Sequence, residues 1–194
     1  MGIFSTRAAR VLALVALLGV TAALIFSRQS SMAGPEGGVT IWELCASNHG
    51  CLTDGRGEHP DWIELTNTGQ EAVNLKGFTL GDSKRELALA VLPDYTLQPG
   101  EYLVLCASGE TGWDGAYYHI PFRLSAQGEF LTLADPRGRI LQAVFMPAMG
   151  EDESYGVSVQ GVMVSSDRPT PGAENRITRT SGEAAPMGLV QRRR

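Results

Sequence analysis

The sequence predicts an all-β domain, a two-sheet sandwich, and three observations carry that expectation. Eight short β-type runs follow one another between residues 39 and 164. None of the intervening segments has the 3.6-residue apolar period of an amphipathic helix. The chain also holds 23 Gly and 10 Pro in 194 residues, which supplies the frequent turns that many short strands need.

The N-terminal element comes first. Residues 11–26 read VLALVALLGVTAALIF, apolar on every side apart from Thr21, with Arg7 and Arg10 ahead of them. As a helix this run is about 24 Å long, against a hydrocarbon core of about 30 Å. Including Ala8 and Ala9, and letting Arg10 and Arg28 snorkel, closes most of the difference. Residues 1–27 are therefore expected to be a signal anchor or a cleavable signal peptide, with residues 8–28 as the membrane contact. The basic flank keeps the N-terminus cytoplasmic and places the remainder outside. Ser31-Met32-Ala33 offers small residues for cleavage. The expected location is the cell membrane, single-pass with the C-terminal domain extracytoplasmic, or secreted if the signal is removed.

Residues 28–38 form a polar linker rich in Ser and Gly. The strand-like runs then occupy 39–47, 62–67, 76–82, 86–92, 101–108, 130–135, 139–146 and 154–164. Asn67-Thr68-Gly69, Pro99-Gly100 and Pro136-Arg137-Gly138 punctuate them with residues suited to tight turns. Trp42, Trp62 and Phe78 are the expected large core residues, whereas Trp113, between Gly112 and Asp114-Gly115, is expected at the surface. In residues 62–65, Trp62 and Glu64 point to one face and Ile63 and Leu65 to the other. The tail 176–194 has no sustained period, ends in three Arg and is expected to be disordered.

Residues 39–175 contain 8 Lys/Arg and 19 Asp/Glu, a balance of 8 − 19 = −11. So acidic a body repels phosphate backbones, and no nucleic-acid partner is expected for it. Catalytic patterns are absent: there is no GxSxG elbow, HExxH helix or P-loop. His49, His59 and His119 lie in or near loops, and His59 near Asp61 lacks a positioned nucleophile. The chain is thus expected not to be an enzyme and to use no cofactor. Asp54, Glu58 and Asp61 are weak calcium candidates, because three carboxylates fall short of the 6–8 oxygens that calcium takes. Glu151-Asp152-Glu153 reads as an acidic turn. Cys45, Cys51 and Cys106 are odd in number. Cys45–Cys51 and Cys45–Cys106 pairings and three unpaired thiols all remain open.

Taken in order, WELCASN (42–48), DWIELTN (61–67), AVNLKGFTLGD (72–82), TLQPGEYLVLCASG (96–109), FRLSAQGEFLTLADPRGRIL (122–141), SYG (154–156) and TPGAEN (170–175) resemble the lamin-tail domain. The version here is similar to secreted and surface members from bacteria. The resemblance implies an immunoglobulin-like β-sandwich over residues 39–175, with Asn48, Asp61, Trp62, Glu64, Asn67, Gly100 and Gly128 as structural motif positions. It further implies a binding or scaffolding role towards a protein or cell-envelope partner. An accessory domain of an exported nuclease or other hydrolase, and a calcium-stabilised adhesion domain, are the alternatives.

Overall fold

The strand over residues 61–67 organises the domain, because its residues are buried on both faces. The computed structural model describes residues 38–82 and 88–177. Among these residues there are thirteen strands and no helix. In order they are β1 (Val39–Cys45), β2 (Asp61–Asn67), β3 (Val73–Asn74), β4 (Thr79–Gly81), β5 (Ala90–Val91), β6 (Thr96–Leu97) and β7 (Tyr102–Ala107). There follow β8 (Gly112–Trp113), β9 (Tyr118–His119), β10 (Glu129–Ala134), β11 (Ile140–Met146), β12 (Ser154–Val157) and β13 (Met163–Ser166).

A first sheet has the strand order β13-β12-β1-β2-β7-β9-β8, a second the order β11-β10-β4-β5, and β3 pairs with β6. Every ladder is antiparallel except β7 with β9. The sheets stack through one apolar core. Ile41, Leu44, Ile63, Leu65, Leu103 and Leu105 come from the first, and Leu80, Leu131, Leu133, Val144 and Met146 from the second. Each such side chain stabilises the fold by roughly 1.5–3 kcal/mol relative to exposure. At the sandwich rim Gln142 Oε1 accepts hydrogen bonds from Ile41 N (2.7 Å) and Thr40 Oγ1 (2.8 Å), tying β11 to β1.

The all-β expectation holds, with local differences. The β1–β2 register shifts between Ile41 and Glu43, so Trp42 is the bulged residue. Its ring is only half-buried, 6.4 Å from that of Tyr102, and does not join the core as expected of it. Trp62 and Phe78 are buried and Trp113 is 48% exposed, as anticipated. The run 154–164 divides into β12 and β13, because Gly161 (φ 75°) turns the chain between them. Ile177 is buried and its carbonyl accepts a hydrogen bond from Val159 N (3.2 Å), so the packed body extends past Asn175. Among the described residues no helix is long and apolar enough to cross a membrane. The apolar run 11–26, the linker to residue 37 and the tail from residue 178 lie outside them.

Candidate functional site

Chemistry gathers on the outer face of the first sheet, away from the core. The pleat and the registers set two transverse rows there. His119, Cys106, Trp62 and Cys45 are successive partners across β9, β7, β2 and β1. Val104, Glu64, Glu43 and Gly156 follow across β7, β2, β1 and β12.

Loop 46–60 covers the first row and is held by Asn48. Its side-chain amide donates to the carbonyls of Leu52 and Pro60 (both 2.8 Å), and Asn48 Oδ1 accepts from Leu52 N (3.1 Å). Asp152 Oδ1 gathers the N–H groups of His49, Gly50 and Cys51 at 2.8–3.2 Å, so the acidic turn closes this loop rather than merely facing solvent. Leu52 is thereby packed on Trp62, whose Nε1 donates to Cys51 Sγ (3.4 Å). All three cysteines are free thiols, with Cys45 Sγ and Cys51 Sγ 3.7 Å apart. The Cys51 contact and burial push the Cys45 thiol up, and burial raises Cys106 to about 12.

Three buried side chains meet beside this row. Asp54 Oδ1 accepts from the N–H groups of Arg56 (2.9 Å) and Glu58 (2.8 Å), the Asx-turn pattern that Asp-Gly sequences favour. Asp114 Oδ1 likewise accepts from Ala116 (2.8 Å) and Tyr117 (2.7 Å). Gly55 N donates to Asp114 Oδ2 (2.7 Å), an approach that needs glycine because a Cβ there would lie 2.8 Å from Asp114 Cγ. His119 Nδ1 bonds Ser108 Oγ (2.8 Å), and Nε2 lies 3.0 Å from Asp114 Oδ2 and 3.7 Å from Asp54 Oδ2. These three side chains are at most 1% exposed. Burial opposes ionisation of Asp114 most strongly. The N–H groups of Tyr117, Ala116 and Gly55 and the His119 contact together outweigh it, holding the carboxyl below the usual range.

The calcium candidates are regrouped. Asp54 converges with Asp114 and His119, whereas Glu58 is exposed and Asp61 Oδ1 instead accepts from Asn48 N (3.2 Å). His59 faces Leu52 O (2.9 Å) and Thr53 Oγ1 (3.3 Å), not Asp61. His119, expected in or near a loop, is a buried residue of β9, and nothing in the spacing of 54–61 joins it or Asp114 to Asp54. The signal available was a histidine inside the mainly apolar run AYYHIPF (116–122).

In the second row, Glu43 and Glu64 are fully buried beneath residues 167–177. Glu43 accepts from Ser154 Oγ (2.6 Å) and from Thr170 N and Oγ1 (both 3.0 Å), and Glu64 Oε2 accepts from Gly172 N. Burial raises both carboxyls, Glu64 to about 8. Asn175 completes the cover, donating to Val157 O (3.0 Å) and Trp42 O (3.3 Å). At the far end of β2, Asn67 Nδ2 donates to Glu71 O (2.8 Å) and Leu97 O (3.0 Å), and the Asn67 backbone carbonyl accepts from Gly100 N (2.8 Å). The motif positions Asn48, Asp61, Trp62, Glu64, Asn67 and Gly100 thus hold turns and covers on one sheet. Gly128 (φ 92°) packs against the backbone after β11.

Among the described residues, exposed aromatic side chains lie on two edge strands. On the edge strand β11, Ile140 and Phe145 are 47% and 57% exposed on the outer face of the second sheet, the Phe145 ring tilted against that of Phe130 with centroids 5.0 Å apart. On the edge strand β8, Trp113 lies between Tyr118 (5.4 Å) and Tyr95 (5.9 Å).

Two stacked sheets, all-β connections and buried polar turn anchors define an immunoglobulin-like sandwich domain. More particularly, the chain belongs to the lamin tail domain family, whose model matches residues 33–146, over half of the 194-residue chain. No curated protein matches it.

Proposed function

We propose that this chain is a membrane-tethered or secreted extracytoplasmic binding and scaffolding module, of the kind found among secreted and surface lamin-tail proteins of bacteria. It performs no catalysis of its own. Its occupant is an extended segment of a protein partner that adds to the second sheet alongside β11. The carrying observation is the edge position of β11, seven residues long and, among the described residues, in a ladder with β10 alone, with Ile140 and Phe145 exposed on one side. An edge of this length offers main-chain hydrogen bonds to an added strand, and its exposed apolar side chains supply selectivity. The apolar run 11–26, with Arg7 and Arg10 ahead of it, supports placement of the domain outside the cytoplasm, with residues 8–28 in contact with the membrane.

The test uses the full chain in its own cells. Protease shaving of intact cells is expected to release the domain, and surface crosslinking to give one discrete complex that is lost in the Ile140→Lys/Phe145→Lys double variant. A domain protected from external protease, or a complex undiminished by the double variant, would overturn the reading.

A further inference from the structure

Asp54, Asp114 and His119 share one arrangement: each has its outer polar atom engaged and its inner atom turned towards the other two. Asp54 Oδ1 and Asp114 Oδ1 each take two backbone N–H groups, and His119 Nδ1 is bonded to Ser108. One donor atom from each of the three side chains lies within 4.8 Å of the other two, and His119 Nε2 is 3.0 Å from Asp114 Oδ2 and 3.7 Å from Asp54 Oδ2. Asp54 Oδ2 is buried and has no hydrogen-bond partner among the described residues. We propose that these three side chains bind one divalent transition-metal ion, zinc being the occupant that best fits them.

The donor set supports this assignment. One imidazole nitrogen with two carboxylate oxygens suits zinc and its first-row neighbours, whereas calcium takes 6–8 oxygens. Zinc ligands at about 2.0–2.2 Å with tetrahedral angles lie about 3.4 Å from one another. The two Nε2–Oδ2 separations, 3.0 Å and 3.7 Å, straddle that spacing. Anchoring of the outer atoms is the support that orients metal ligands, the bond from His119 Nδ1 to Ser108 above all. Charge argues in the same direction. The two buried carboxylates have five backbone N–H groups and His119 as partners, Gly55 N on Asp114 Oδ2 included, while the nearby Arg56 guanidinium is engaged by Glu110 at the surface; an ion between them adds the full positive charge that these dipoles lack. His119 Nε2 lies 3.7 Å from Asp54 Oδ2, beyond hydrogen-bonding distance, so the imidazole leaves that oxygen without a partner. A divalent ion neutralises both and occupies the orphaned oxygen. Three protein ligands leave a fourth position for water.

The experiment uses the full chain, purified in detergent, stripped with EDTA and dialysed against zinc. The expected result is one zinc per chain and a melting transition that rises with zinc and returns on chelation. Asp54→Asn and His119→Gln are each expected to weaken zinc binding at least about ten-fold, and Ser108→Ala, which keeps all three ligands, about ten-fold. Glu58→Gln, outside the cluster, is expected to bind as the unmodified chain does. Near-UV circular dichroism of each metal-free variant verifies folding. Failure of the unmodified chain to retain zinc overturns the proposal whatever the variants do. So does retention equal to wild type in Asp54→Asn and His119→Gln, or displacement of zinc by an equal concentration of calcium.

Discussion

Glu43 and Glu64 face each other across β1 and β2, both fully buried, and among the described residues neither is paired with a cation. Their hydrogen-bond partners are the hydroxyls and amides of Ser154, Thr170 and Gly172. Burial raises both carboxyls, and the proximity of Glu43 adds to the rise at Glu64. The folded chain therefore holds protons here that the unfolded chain releases.

That relationship fixes a pH dependence. Glu64 moves from an ordinary value of 4.5 to about 8 on folding. Its contribution is fully present below the unfolded value and is lost as pH rises through the folded one. Stability is expected to fall by a few kcal/mol between mildly acidic pH and about pH 8. Urea titrations across this range check it. Glu64→Gln, which keeps an acceptor for Gly172 N and needs no proton, should flatten the profile. A slope unaltered by that substitution would count against the assignment.

Gly100 and Gly128 both have positive φ but differ in surroundings. Nothing lies within 4 Å of a Cβ added at Gly100, whereas one at Gly128 would lie 2.9 Å from Met146 O. Gly100→Ala is expected to cost about 1–2 kcal/mol, the strain of a left-handed backbone alone. Gly128→Ala should cost on the order of 3 kcal/mol, because the backbone after β11 must also move. Paired thermal melts test the ranking, and equal losses would contradict it.

The thiols of Cys45 and Cys51 are poised to close on oxidation, whereas Cys106 is apart from them. Treatment with oxidised glutathione is expected to yield a single Cys45–Cys51 bridge, stabilising by about 2 kcal/mol for so short a loop. Peptide mapping should find Cys106 unmodified. A bridge that includes Cys106 would refute this.

Asn48→Asp tests the loop anchor. The substitution is nearly isosteric, but it replaces the amide that donates to Leu52 O and Pro60 O with an acceptor. Two buried carbonyls then lose their donor, and a loss of about 2–4 kcal/mol is expected by chemical denaturation. A loss under about 0.5 kcal/mol, the size of an ordinary surface change, would show that the loop does not depend on this residue.

The main strands were legible because their alternation is strong. Ile63 and Leu65 enter the core as their period required. What that period could not reveal is that Trp62 and Glu64, on the opposite side, are equally buried, because the covers come from residues 46–60 and 167–177, remote in sequence. The two-residue strands β3, β5, β6, β8 and β9 are too short to carry a period. His119 and Asp114 meet Asp54 through the parallel pairing of β9 with β7 and the bond from Gly55 N to Asp114, tertiary relations that carboxylate spacing along 54–61 does not encode. Trp42 left the core because a bulge, invisible to alternation, reset the register at that position.

The family match ends at Met146, yet the strap through Ile177 shields the two glutamates and donates to both. A polypeptide cut at that boundary would keep both faces of the central core while stripping the acid pair of its roof and leaving β1 without β12. For grafting or dissection, the smallest self-sufficient cassette is therefore expected to run through residue 177, with its last stretch acting as a clasp rather than a trailing end.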